Sequence, residues 1–202
     1  MSNRSATVLL DTVLPQATLA QNALLVVGGS LLVALCAQVS VPLPFSPVPV
    51  TGQTFAVLLL GATLGARRSA AALLLYLAEG AAGLPVFAPG GLPGVARLAG
   101  PTGGYLLAFP AAAFLVGLLV ERPQASGPRR WWTWLGAALA AEAVILAAGT
   151  AWLALLTQAS WMEAAPLGAW PFLPGSLAKA ALVALCLPAS WWAVERNRLR
   201  DS

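Results

Sequence analysis

Six apolar runs set the outline of this chain, at about 21–41, 51–66, 69–82, 102–120, 131–158 and 176–194. A bilayer core takes about 20 residues of helix, and the first, fourth, fifth and sixth runs approach or exceed that length. The second and third runs are short, as expected where helices end in ordered loops shielded from lipid by the rest of the protein. Hydrophobic residues make up 59% of the chain and charged residues only 9%, more apolar surface than a water-soluble domain of this size needs to bury. The expected fold class is therefore an all-α membrane protein of six transmembrane helices. It forms a single integral membrane domain over 1–202, with a polar tail over about 1–20, spans within 21–194 and a short basic tail at the end. Asp11, Thr12, Pro15 and Gln16 interrupt any signal-peptide core, so the first tail is expected to stay attached.

Between the third and fourth runs lies GLPVFAPGGLPGVARLAGPTGGY, residues 83–105, with seven glycines, four prolines and a single charge, Arg97. Proline lacks an amide donor and clashes with the preceding turn, while glycine relaxes φ, so this stretch cannot continue a helix. Its apolar side chains fit a folded cup at the membrane surface rather than a solvated linker. The connection SVPLPFSPVPVTGQT, with Pro42, Pro44, Pro47 and Pro49, predicts an extended, polyproline-like link. Residues 159–175 read as a third loop, and Pro110 as a kink within the fourth helix.

An even number of spans puts both termini on one side. Nine of the eleven basic residues then fall on that side: Arg4, Arg67, Arg68, Arg122, Arg129, Arg130, Arg196, Arg198 and Arg200. By the positive-inside rule both termini are expected in the cytoplasm, with the protein in the cell membrane and lipid around it. Trp131, Trp132, Trp134, Trp191 and Trp192 fit an interfacial belt at that end, and Trp161 and Trp170 one at the other. The three loops then share the outer face, where a ligand pocket is expected.

The two basic residues that break this pattern are Arg97 and Lys179, both towards the outer side. Lys179 lies one helical turn from Ser176 on the same face, and an intramembrane lysine is costly enough to suggest a functional role, although it could also snorkel. Glu79 and Glu142 are the acids within the spans. They are the groups a proton-coupled carrier would use, or they bond to neighbouring helices. Cys36 and Cys186 lie in apolar runs without metal-ligand spacing and read as small core residues.

Absences narrow the function further. The chain has no histidine, and its only aspartates are Asp11 and Asp201, which excludes serine–histidine dyads, histidine-based zinc and haem sites, and intramembrane aspartyl dyads. No phosphate-binding loop surrounds the only lysine. No enzyme activity, cofactor, metal or nucleic-acid partner is expected, and energy for any transport must come from elsewhere.

The order VPLPFSPVPVTGQTF, YLAEGAAGLPVF, GPTGGYLLAF and LPGSLAKA resembles the BioY family, the biotin-binding S components of energy-coupling-factor (ECF) importers. The resemblance covers about residues 20 to 195. It implies a six-helix protein with a biotin pocket near the outer face, capped by the loops after helices one, three and five. It also implies a transmembrane coupling protein and a pair of cytoplasmic ATPases as partners, and leaves a homo-oligomer open. Residue by residue, it places ligand-binding roles on Gln53, Phe87, Arg97 and Lys179, and on Ser176, which stands where the family's PGD-x-x-K segment has aspartate. Ser30 and Ala34 form a small-xxx-small pair like the family's surface for the coupling protein. A rival reading is a solitary proton-coupled or facilitative carrier for biotin or a similar small vitamin, working through Glu79 and Glu142.

Overall fold

The computed structural model describes residues 17–121 and 131–198, with side chains as far as 187 in the last helix. The stretch before Ala17, and Arg122, Arg129, Arg130 and Arg200, lie outside the described residues. Helix α1, Leu19–Gln38, starts with a capping box: Thr18 Oγ1 accepts the Gln21 amide proton, and Gln21 Oε1 accepts that of Thr18 at 2.8 Å. The proline-rich connection that follows is not a polyproline link. Strands β1, Ser40–Leu43, and β2, Ser46–Thr51, pair antiparallel, with Ser40 opposite Thr51 and Leu43 opposite Ser46. The four prolines fall outside the paired positions, and a two-stranded ribbon leaves every strand one free edge, so their missing amides cost no ladder bond. The all-α expectation is corrected to a mostly helical fold with one β-hairpin.

Helices α2, Gln53–Leu64, and α3, Ala66–Ala81, meet at Gly65 alone. Gly65 has φ of 83°, a left-handed value that only glycine adopts without strain, and this reverses the chain without any loop. Arg67 and Arg68, which separate the second and third apolar runs, lie in the first turn of α3. The free Ala66 amide at that helix start donates to Glu121 Oε1 at 2.7 Å, so a carboxylate from the far end of another helix satisfies it.

The central stretch contains a short helix α4, Val95–Ala99, after which α5, Gly103–Val120, runs through Pro110. Helix α6 is Trp131–Thr157. The expected third loop is largely ordered structure: α7, Trp161–Gly168, a 3-10 turn at Trp170–Phe172, and α8, Leu173–Arg198. Pro174 falls in the first turn of α8, where an amide donor is not needed, so the last helix starts three residues earlier than its polarity suggests.

Leu19–Gln38, Gly103–Val120, Trp131–Thr157 and Trp161–Leu187 are long and apolar enough to cross a membrane, whereas α2 is apolar but short. Large apolar side chains point outward, among them Leu24, Leu35, Leu155 and Leu185, which suits a lipid solvent. Inside, Leu58, Leu73, Tyr76, Val116 and Ile145 belong to one core. Trp134 is 1% exposed and part of that core, not of an interfacial belt, while Trp161 and Trp170 are exposed as a belt requires. Cys186 is exposed and Cys36 half-buried, so neither is a core residue in the full sense.

The hairpin, the central stretch and the α7 region gather at one end. Ser46 Oγ donates to Leu167 O at 2.7 Å, Tyr105 Oη to Gly168 O at 2.6 Å, and Trp152 Nε1 to Gly100 O at 2.9 Å. At the other end Arg68 Nε donates to Asn22 Oδ1 at 2.7 Å, close to the Ala66–Glu121 contact.

Candidate binding site

A cavity opens beneath the three joined loops. Its walls come from β2, α2, α5, α6 and α8, closed above by Ala88, Arg97 and Phe172. The apolar part is made by Val48, Tyr105, Leu106, Phe109, Ile145 and Phe172. Four of the five side chains singled out from the sequence for binding lie in this wall: Gln53, Arg97, Ser176 and Lys179.

Phe87 does not. Its ring fills the slot left by Gly80 on α3 and meets the Tyr76 ring edge-on, with centroids 5.4 Å apart and planes at 84°. It supports the wall from behind. Gln53 Nε2 donates to Tyr76 Oη at 2.6 Å, Tyr76 Oη donates to Val86 O at 3.1 Å, and Thr51 Oγ1 donates to Gln53 Oε1 at 2.9 Å. This chain of bonds ties the hairpin to the central stretch, so Gln53 holds the roof in register as well as facing the cavity.

Arg97 is 7% exposed although it sits in a surface stretch. Its guanidinium lies against the Gly91 backbone, where a Cβ would collide with Nη1, and Nη2 donates to Ala88 O at 2.9 Å. Burial lowers its pKa, but a guanidinium remains charged at neutral pH. Among the described residues its Nε has no partner, and neither has the Oγ1 of Thr102, which also lines the cavity.

The second polar cluster is deeper. Ser176 Oγ donates to Glu142 Oε2 at 2.7 Å, and Lys179 Nζ donates to Thr54 Oγ1 at 2.7 Å. Glu142 precedes Trp152, which is bonded near the roof, by ten residues of the same helix; at 1.5 Å per residue it lies about 15 Å further down. The cavity thus has a shallow end with a cation that no acid opposes among the described residues, a deep end where Lys179 and Glu142 offset one another, and apolar walls between. Such a shape suits a small molecule with an acid at one end and a neutral polar group at the other.

Thr54, Thr102, Tyr105 and Phe172 were not marked by the sequence. Thr54 directly follows Gln53, and Thr102 and Tyr105 belong to GPTGGY, so the motifs contained them without ranking them. Phe172 lay in residues read as a loop. The partner-facing expectation for Ser30 is corrected: it is 0% exposed and donates to Glu79 Oε2, because that side of α1 packs on α3. Ala34 is half-buried.

Comparison with known proteins agrees with this architecture. The BioY family profile matches residues 5–196. The biotin transporter BioY of Rhodobacter capsulatus is 39% identical over 165 residues, covering 78% of this chain and 85% of that protein. Biotin transporter BioY2 of Lactococcus lactis subsp. cremoris is 37% identical over 161 residues, covering 80% and 85% respectively. A probable biotin transporter BioY of Pyrococcus horikoshii is 40% identical over 150 residues, covering 74% and 83%. In fold, the chain resembles a crystal structure of the S-component for biotin from an ECF-type ABC transporter, with a TM-score of 0.75, 23% identity and coverage of 91% and 92%. These relatives are transporters and not enzymes, and the chain belongs to the BioY family.

Proposed function

We propose that this protein captures biotin from outside the cell and delivers it inward as the substrate-binding S component of an ECF-type importer. The observation that carries the reading is the division of the cavity into two polar ends, each with one cation, joined by apolar walls. Biotin has the matching parts: a carboxylate on an apolar tail and a neutral ureido ring. The carboxylate goes to Arg97, whose Nε lacks a partner among the described residues, and the ureido ring goes to the deep end, where Lys179 donates to its carbonyl. Tyr105, Phe109 and Phe172 cover the tail, the task expected of Phe87.

In this reading all six long or medium helices cross or line the membrane, the short α2 and α3 being completed by the hairpin and the central stretch. Both termini face the cytoplasm and the cavity opens outward. The likeness in fold to an S-component supports partnership with a transmembrane coupling protein and two cytoplasmic ATPases. The solitary-carrier reading is less favoured, since Glu79 and Glu142 each accept a serine hydroxyl proton and so have local bonding roles.

Calorimetric titration of the detergent-purified protein tests the ligand. Saturable 1:1 binding of biotin, with biotin methyl ester bound more weakly, is expected; absence of saturable biotin binding overturns the reading. Co-purification from a native membrane tests the partners, and biotin uptake without bound ATPases would return the solitary carrier to first place.

A further inference from the structure

The deep end of the cavity holds a carboxylate whose bonding is only half complete. Glu142 is 3% exposed, its Oε2 accepts the Ser176 hydroxyl proton, and its Oε1 has no partner among the described residues although the side chain lines the cavity. A buried carboxylate oxygen without a donor is costly, so the site calls for an N–H or O–H from whatever enters. Ser176 has directed its single proton to Glu142, so towards a ligand its hydroxyl can only accept, and more weakly than the carboxylate. The adjacent cation, Lys179, supplies donors only. The deep end therefore offers one strong acceptor and one strong donor, side by side.

We infer that Glu142 is a ligand-contacting residue that accepts a ring N–H from the substrate, with Ser176 as its positioning residue. This rests on the biotin reading and deepens it. The ligand class is a neutral ring in which an N–H adjoins a carbonyl, a cyclic urea or amide: the N–H meets Glu142 and the carbonyl meets Lys179. The arrangement also accounts for serine at position 176. The acid that the related PGD-x-x-K segment carries on the last helix is here supplied by α6, and the serine on α8 holds it in place.

The test uses the detergent-purified full chain and calorimetry with biotin. Glu142→Gln keeps the size of the side chain and removes the charged acceptor, and should weaken biotin binding about tenfold to a hundredfold. The double substitution Glu142→Gln with Ser176→Asp returns a carboxylate to the deep end from the other helix, and should recover affinity to within about threefold of the unsubstituted protein. A purely structural role for Glu142 would not be rescued in this way. A measurement that needs no variant guards against misfolding: biotin methylated on its ureido nitrogens should bind the unsubstituted protein at least about tenfold more weakly. Unchanged affinity of Glu142→Gln, or equal binding of biotin and its N-methylated forms, overturns the inference while leaving biotin binding intact. Failure of the unsubstituted protein to bind biotin at all overturns the functional reading, and this inference with it.

Discussion

Lys179 Nζ and Thr54 Oγ1 are joined by a 2.7 Å hydrogen bond that links α8 to the first turn of α2. A snorkelling lysine would extend up its own helix towards the headgroups; this one is turned into the cavity. The proposed reading gives the two cations of the cavity different roles, and a pair of mutant cycles separates them. Arg97→Gln should weaken biotin by roughly 1.5–3 kcal/mol, about tenfold to a hundredfold, and biotin methyl ester should lose little more on that variant, because both changes remove the same charge-assisted bond. Lys179→Gln should cause a loss of similar size that adds to the loss from esterification. Calorimetry on the four combinations for each residue reads both results. Additivity at Arg97 combined with coupling at Lys179 would show that the ligand lies the other way round.

Gly91 gives a less obvious route to the same cation. A Cβ on this residue would stand 1.0 Å from Arg97 Nη1, so Gly91→Ala should push the guanidinium out of its cradle and weaken biotin binding nearly as much as Arg97→Gln. Gly136→Ala in α6 is the matched control, since nothing lies within 4 Å of a Cβ there, and it should bind biotin normally. Normal binding by Gly91→Ala would mean that Arg97 does not need this position to meet its ligand.

What the sequence revealed and what it hid follow from the range of the forces involved. Long apolar runs and Pro/Gly breaks act locally, so α1, α5 and α6 were legible to within a few residues. The central stretch does break the long helices, but the short helix α4 within it was not foreseen, and its last residues, from Gly103, already belong to α5. The hairpin was hidden because proline-rich strands carry no alternating pattern, and only pairing between Ser40–Leu43 and Ser46–Thr51 reveals them. Helix α7 was hidden by Pro166, which breaks a helical reading of MEAAPLG although the helix runs through it. In the site, Arg97 and Lys179 stood out because charge in an apolar chain is rare. Where the Phe87 ring packs and what Glu142 bonds could not be read from the sequence, because both depend on which neighbour faces them, Gly80 for one and Ser176 for the other. Such long-range pairings are a property of the packed bundle and not of any motif.

Ser30 offers a test of the packing within the bundle. Its hydroxyl is buried and donates to Glu79 on α3, so Ser30→Ala leaves a half-buried carboxylate short of one donor. A loss of about 1–3 kcal/mol in stability is expected, read as a lower thermal midpoint of the purified protein, with biotin affinity unchanged because the pair lies outside the cavity wall. Unaltered stability would show that Glu79 finds another partner, and altered affinity would show that α1 and α3 are coupled to the site.

Orientation is tested by accessibility. Arg67 and Arg68 lie at the end of the bundle opposite the cavity, where Arg68 bonds Asn22 and the α3 amide bonds Glu121, and in the proposed orientation, which the positive-inside rule supports, this end faces the cytoplasm. Met162 lies in α7 at the cavity end and is 76% exposed, whereas Arg97, though at the same end, is too buried to report. In a background carrying Cys36→Ala and Cys186→Ala, Met162→Cys should react with a membrane-impermeant thiol reagent in intact cells. Arg67→Cys, also at an exposed position, should react only once the membrane is permeabilised. The reverse pattern would turn the cavity towards the cytoplasm, and a protein so oriented could not collect biotin from outside through this site.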